Sequence, residues 1–198
     1  MRFLEPVTLA GERVTLEPLA QAHHDDLVEA VRDGRLWELW YTSVPAPGAM
    51  TAEIDARLAQ HEAGTMLPFA VRHNDTGRVV GMTTFLNVEP EVPRVEIGAT
   101  WTAQRVHRTG VNAESKLLLL THAFDVLGCL AVEFRTHWHN QQSRTAITRL
   151  GAKQDGVLRN HRRMPDGTLR DTVVFSITDV EWPAVRAGLR HRLAGPRG

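Results

Sequence analysis

The order of elements read from the sequence predicts one α/β domain of the α+β kind, a mixed sheet flanked by helices. Three observations carry this. Stretches that alternate with period two and stretches with helical spacing follow one another from Arg13 to Leu193. No repeat, linker or low-complexity run divides them, so residues 1–198 form a single domain. Residues 94–138 read strand, loop, long helix, strand, the pattern of a crossover between neighbouring parallel strands. Two turn-forming stretches, Asn74-Asp75-Thr76-Gly77 and Pro165-Asp166-Gly167, separate strand-like runs and predict hairpins.

The elements follow in order. Arg13 to Pro18 is β-branched and alternating, a strand. Ala22 to Arg32 places Leu27, Ala30 and Val31 at helical spacing and stops near Gly34. The aromatic patch Trp37, Trp40, Tyr41 precedes the loop Pro45-Ala46-Pro47-Gly48, and a second helix runs from Thr51 as N-cap to Ala63. Leu67 to His73 and Arg78 to Val88 form the first hairpin, Pro90 and Pro93 interrupt, and Arg94 to Thr102 is the next strand. Gly110 to Leu127 is the longest helix, with Leu117 to Leu120, Ala123 and Phe124 making a broad buried face. Ala131 to Trp138 is a strand and Gln141 to Leu150 a short helix closed by Gly151. A last hairpin spans the region around Val157 and Leu169 to Ile177, and residues 181–193 form a basic terminal helix.

Composition narrows the function. Lys plus Arg and Asp plus Glu are 23 each, so no global field draws in nucleic acid or an anionic membrane. The basic tail Arg186 to Arg197 is too short to change that, and an anion site must be local. The single cysteine, Cys129, lies between apolar residues. It reads as a buried thiol in a reducing compartment, with no disulfide framework. Met1 to Pro6 has no signal-peptide core, and no run approaches the ~20 apolar residues of a membrane span. The expectation is a soluble cytoplasmic protein with no membrane partner. His137 with His139 and His23 with His24 lack the further ligands that zinc takes, so no metal site is expected. Trp37, Trp40, Tyr41 and Trp138 read as core or lid packing, and the early helical segment is the candidate for one wall of an acceptor cleft.

The loop Gln104-Arg105-Val106-His107-Arg108-Thr109-Gly110-Val111-Asn112 lies at the carboxyl end of a strand and the amino end of a long helix, where free N–H groups and the helix dipole favour an anion. Gly110 allows close backbone approach, and Arg105, His107 and Arg108 can add charge beside a phosphate. No Gly-Lys-Ser/Thr follows, and no Gly-x-Gly-x-x-Gly is present. A solvated strand-to-helix turn is the plainer alternative.

A second segment, Thr136 to Ala152, leaves a strand and enters a helix ending in Leu150-Gly151. Together these stretches resemble the GCN5-related N-acetyltransferase superfamily, and within it the ribosomal-protein N-terminal acetyltransferase branch. His107 to Asn112 is similar to that family's pyrophosphate motif, with His107 where Gln or Arg is usual and Asn112 where Gly or Ala is usual. Asn140 to Gly151 is similar to its Asn-x-x-Ser…Leu-Gly signature, and Asp155-Gly156-Val157-Leu158-Arg159 to the acidic segment after it. Asp166 to Ile177 also looks like this branch. The resemblance covers roughly residues 13–182.

It implies a mostly antiparallel sheet with a βαβ unit that binds the cofactor, acetyl-coenzyme A as co-substrate, and a small-molecule or peptide amine as acceptor. A homodimer is common in the family. The implied cofactor-binding residues are Thr100, Trp101 and Thr102 along the pantetheine track, His107, Arg108, Thr109, Gly110, Val111 and Asn112 at the pyrophosphate, and Asn140 and Ser143. Aminolysis of a thioester needs an acceptor for the ammonium proton and a donor for the leaving thiolate. The resemblance favours Asp155 as base. Strand geometry favours Glu96, which alternation places on one face with Gly98 and Thr100. The superfamily's usual tyrosine acid is replaced by Ile147, and Ser143 is the branch's hydroxyl, with helix capping as its plainer role. A non-catalytic acyl-coenzyme A sensor with a disabled acceptor side is the competing reading.

Overall fold

The computed structural model describes residues 3–195; Met1, Arg2 and Arg197 of the stretches discussed above lie outside the described residues. Eight strands form one sheet: β1 (Leu9–Ala10), β2 (Val14–Pro18), β3 (Met66–His73), β4 (Val79–Glu89), β5 (Arg94–Thr102), β6 (Ala131–His137), β7 (Lys153–Arg163) and β8 (Leu169–Thr178). Their order is β1-β2-β3-β4-β5-β6-β8-β7. Every neighbour is antiparallel except β5 and β6, the crossover pair. The helices are α1 (His24–Arg32), α2 (Met50–Glu62), α3 (Val111–Thr121), α4 (Gln141–Leu150) and α5 (Trp182–Ala194). None is long and apolar enough to cross a membrane among the described residues.

Two adjacent threonines show which helix covers which face. Successive strand residues point to opposite faces. Thr84 Oγ1 accepts from Arg57 Nη1 of α2 at 2.8 Å, while Thr83 Oγ1 accepts from Lys116 Nζ of α3 at 3.4 Å. So α2 lies on one face with α1, which packs on β4, and α3 lies on the other with α5 and α4. Both layers bury apolar residues of the sheet, Phe69, Phe85, Phe134 and Ile177 among them.

The second helix begins earlier than Thr51, because Pro47 opens a 3-10 turn over Pro47–Ala49 that runs straight into it and leaves Ala49 as the cap. The long helix ends its α-helical part at Thr121 and finishes as a π turn over His122–Val126, with Leu127 N–H donating to His122 O at 3.0 Å. The short strand β1 gives no alternation to read.

The amino end of β2 is fixed by one buried side chain. Glu114 of α3 accepts the main-chain N–H groups of Glu12 at 3.2 Å, Arg13 at 2.6 Å and Val14 at 2.8 Å. A Cβ at Gly11 would lie 2.7 Å from its Oε2, so any side chain there would have to displace the carboxylate from these N–H groups. Glu114→Ala leaves three N–H groups without an acceptor and should cost about 3 kcal/mol or more of stability. Chemical denaturation would measure it, and a loss under about 1 kcal/mol would mean that water replaces the carboxylate.

Candidate functional site

The parallel ladder of β5 and β6 is only three pairs long: Arg94–Ala131, Val95–Val132 and Glu96–Glu133. Both strands continue, β5 to Thr102 and β6 to His137, without pairing to each other. Each keeps its outer partner, β4 or β8, so the sheet splits into a wedge whose vertex is Glu96. The main-chain groups of residues 97–102 and 134–137 that face the wedge have no strand opposite. An extended ligand carrying amides matches them as a missing strand would.

A bulge shapes the β5 side. Thr83 faces two residues, because the register slips between the Met82–Trp101 and Thr84–Gly98 pairs, and Ala99 takes φ +46°. The bulge is held from both faces. Arg57, buried on α2, donates to Ala99 O from Nη1 and Nη2 at 3.3 Å each and is itself oriented by Glu53 at 2.6 Å. On the α3 side, Thr100 Oγ1 bonds to Thr83 Oγ1 and to Lys116 Nζ, both at 2.8 Å. The extra residue therefore breaks the alternation expected from the sequence. Gly98 shares a face with Glu96, whose Oε1 would lie 2.7 Å from a Cβ there, and Thr100 turns to the opposite face.

At the wide end of the wedge, the loop before α3 puts Arg108 at φ +66° and Gly110 at φ +93°. No side chain caps α3, so its first-turn N–H groups remain available. Two side chains expected beside a phosphate have other work. Arg105 binds Asp33 through its N–H at 2.9 Å and through Nη1 at 3.3 Å, and His107 Nε2 bonds to Thr102 O at 3.1 Å. Thr109 Oγ1 donates to Val106 O at 2.8 Å. Arg108 faces a cavity of about 310 Å³ beside Gly110, Asn112 and Ala113, and Arg13, Arg149 and Arg192 join its wall. That concentration of guanidinium groups in a chain of zero net charge makes a local positive field beside the helix start.

Across the wedge, Asn140 Oδ1 accepts the N–H of Ser143 at 2.9 Å and caps α4. Ser143 is thus the third residue of the helix rather than its cap, and its hydroxyl stands in the first turn, at the carboxyl end of β6. Two buried donors flank the split strands without a partner among the described residues: Trp101 Nε1 at the end of β5 and His137 Nε2 at the end of β6. His137 Nδ1 accepts from the His139 N–H at 3.1 Å, so its proton resides on Nε2. Trp40 stands edge-on to His137 at 5.1 Å, with Tyr41 6.4 Å from the same ring. The early aromatic patch therefore walls the wedge.

Glu96 is buried, and burial raises its pKa against the opposing pull of the Asn87 hydrogen bond and of Arg135. Asn87 Nδ2 donates to it at 2.6 Å, and Arg135 Nε is 3.5 Å away. Asp155 lies elsewhere, exposed on the edge strand β7 and bound to Ser176 Oγ at 3.0 Å. Two strands, β6 and β8, separate it from β5, a span of roughly 14 Å. The structure brings Glu96, Trp101, Gly110, Asn140 and Ser143 around one wedge and leaves Asp155 outside it. Among the described residues no group of three or more His, Cys, Asp and Glu side chains is placed to hold a metal ion. Cys129 is buried, with its thiol pKa pushed up to about 11 by that burial.

Sequence reasoning missed Lys116. Its signal was present: it lies three, four and seven residues before Leu119, Leu120 and Ala123, on the buried stripe of α3. Thr100 and Thr83 are the partners of its amine. Burial pulls its pKa down to about 7.

The sequence matches the acetyltransferase (GNAT) domain family over residues 13–153. A GCN5-related N-acetyltransferase structure from Brucella melitensis shares 30% identity, covering 96% of this chain and 87% of that one, with a TM-score of 0.86. An acetyltransferase structure from T. thermophilus shares 34% identity over 96% and 98% of the two chains, with a TM-score of 0.83. Mycobacterium smegmatis RimJ in complex with CoA-disulfide has the same fold at 21% identity, 94% and 95% coverage and a TM-score of 0.79. No curated protein matches the chain.

Lys116 makes stability depend on pH in a defined direction. The unfolded lysine keeps its proton up to its ordinary 10.5, and the folded one loses it above about 7. Between those values the unfolded state binds more protons, so stability rises with pH, by a few kcal/mol at the order of magnitude; below about 7 the contribution is flat. Lys116→Met should remove that rise. Melting temperatures of both proteins from pH 7 to 10 would show it, and parallel curves would mean that the amine stays charged in the fold.

Proposed function

The chain belongs to the GNAT acetyltransferases, and from that premise we propose that it transfers the acetyl group of acetyl-coenzyme A to a primary amine: a protein N-terminus, an amino acid or another small amine. The observation that carries this reading is the wedge between β5 and β6. It has an uncapped helix start at its wide end and a buried carboxylate at its vertex. Family members use acetyl-coenzyme A, and the residues here fit it: the open strand edges offer amide partners, and the α3 start with the arginine-lined cavity offers a phosphate site.

In this reading the first-turn N–H groups of Val111 and Asn112, with Arg108 and the Thr109–Gly110 backbone, hold the pyrophosphate. The exposed edge at Thr100, Trp101 and Thr102 lines the pantetheine arm, and the Asn140 cap fixes the α4 end at which Ser143 stands. Acetyl-coenzyme A supplies an activated thioester carbonyl. The amine nitrogen bonds to that carbon and the C–S bond breaks. Glu96 takes the first proton of the ammonium, directly or through water; once the C–N bond has formed, the second nitrogen proton passes to Ser143 Oγ as Ser143 gives its own proton to the departing sulfur. Glu96 is preferred over Asp155 because it stands at the wedge, where burial raises its pKa and makes it a stronger proton acceptor than a solvated carboxylate.

Native mass spectrometry and thermal shift with acetyl-coenzyme A, followed by a panel of amines, test the reading. A mass adduct with stabilisation and turnover of at least one amine is expected. No adduct and no stabilisation at millimolar cofactor would remove it, and tight binding without turnover would return the chain to the sensor class. Glu96 adds a pH signature. Its base form is lost as pH falls through its raised pKa, so wild-type activity should fall with it. Glu96→Gln should lower kcat/KM at neutral pH by roughly 100-fold, recover at high pH where free amine forms unaided, and leave cofactor affinity unchanged. A wild-type pH–rate profile in the variant would move the role of base elsewhere.

A further inference from the structure

The sheet face that carries Glu96 is covered by α1 and α2 on the β3–β4 side, and over β6, β8 and β7 it carries several charged groups, with Trp40 and Tyr41 packed beside His137. Cross-strand partners point the same way, so the register places Glu96, Glu133 and Ser176 in one row, Arg135 and Val174 in the next, and His137, Thr172 and Leu158 in a third. Beyond that row, Arg162 of β7 stands directly opposite Arg170 of β8. Like charges directly opposed destabilise a sheet unless something lies between them. The neighbouring ion pairs leave both out: Arg159 is taken by Asp171, Arg135 by Glu133 and Glu96, and Arg94 by Glu133. Arg170 is half-buried, and its Nε has no hydrogen-bond partner among the described residues.

The surroundings sharpen this arrangement. Burial and the Arg162 charge push the Arg170 pKa down, and only Glu96 opposes them. His161, whose Nδ1 is 3.1 Å from Thr172 Oγ1, is held low by burial and by the charges of Arg162, Arg135 and Arg170. Arg162 and Arg170 thus place positive charge on the same face as the Glu96 carboxylate at the wedge vertex, beyond the Arg135–Glu133 pair. Opposite signs at two places on one face suit a ligand with opposite signs at its own two ends.

We propose that Arg162 and Arg170 bind an anionic oxygen group, a carboxylate or phosphate, on the acceptor whose ammonium is delivered to Glu96. This rests on the acetyl-transfer reading and narrows it to zwitterionic or acidic amines, against polyamines and neutral amines. Paired guanidinium groups bind such oxygens through charge-assisted, bidentate hydrogen bonds, and an anion between them removes their mutual repulsion.

The test uses the full chain and matched ligands: ω-amino carboxylates of increasing length, their carboxamides, and aminoalkyl phosphates. Wild-type protein should favour a carboxylate or a phosphate over the matching amide by about 10-fold or more in kcat/KM, and the preferred source of the anion is read from those two arms. Arg170→Met and Arg162→Met should abolish the preference through KM, while turnover of the amide is retained. Binding is read separately, as stabilisation of the coenzyme A complex by the same ligands. It should appear in wild type and vanish in Arg170→Met, which should itself melt no lower than wild type at low salt once the repulsion is relieved. Equal use of acid and amide, or stabilisation that survives both substitutions, overturns the proposal and leaves acetyl transfer standing. Arginine-dependent binding of the anionic ligands without any turnover sinks acetyl transfer and leaves the anion site standing.

Discussion

The structure depends on a sheet that stops pairing in its middle. β6 keeps seven paired positions with β8, and β5 keeps its ladder with β4, yet the two share only three with each other. Unpaired strand edges are unfavourable unless something satisfies them. Here the edges face inward, where another strand cannot add but a narrow extended molecule can. The bulge at Ala99 belongs to the same constraint. Arg57 and Lys116 hold it from opposite faces, so the conformation of the open edge is fixed by packed helices rather than by a neighbouring strand. The positive φ of Ala99 is sustained by those contacts.

The split also separates two electrostatic environments within a chain whose charges sum to zero. On the α3–α4–α5 side, Arg13, Arg108, Arg149 and Arg192 gather around an uncapped helix start. Arg13 is oriented by Leu193 O at 2.9 Å, and Glu114 ties its backbone to α3, so the terminal helix helps set the anion site. On the α1–α2 side lie a buried carboxylate, the aromatic rings beside His137, and Arg170, whose Nε has no hydrogen-bond partner among the described residues. In the proposed acetyl transfer, the phosphates of the cofactor meet the first environment and its thioester the second. The topology thus makes one cleft of two without a domain boundary.

Much of this was legible in the sequence. The crossover over residues 94–138 needs no tertiary information, because strand, glycine-bearing loop and long apolar helix follow one another, and the structure places the loop at the start of α3. Asn140 stands out in the sequence ahead of a short helix, and the structure shows its local task, the cap on α4. The bulge was not legible, since Gly98-Ala99-Thr100 continues the strand pattern and only the register with β4 reveals the extra residue. For the same reason the face of Thr100 was misread. Asp155 follows a recognisable signature, but its distance from the wedge comes from strand order, in which β8 inserts between β6 and β7. Lys116 and Arg57 escaped notice because a charged residue on a helix is read as solvated, and only packing shows that both are buried.

Two carboxylates meet at the vertex, and their partners differ enough to separate their roles. Glu133 is surrounded: Arg94 pairs with it, and Arg135 donates to it from Nε at 3.0 Å and Nη2 at 2.8 Å. Glu96, directly opposite, receives only a 3.5 Å approach from that same Arg135, plus the neutral amide of Asn87. Arg135 is shared, and its hydrogen bonds go to Glu133. Burial then decides for Glu96, because desolvation disfavours its charged form and the negative Glu133 adds to it, leaving the pKa raised in spite of a nearby guanidinium. A carboxylate that is desolvated, only partly compensated and placed where two strands part is a stronger proton acceptor than a solvated one. Glu133 therefore leaves Glu96 less compensated by occupying Arg135, and the proposal of Glu96 as base rests on the three-residue ladder that sets the two carboxylates face to face.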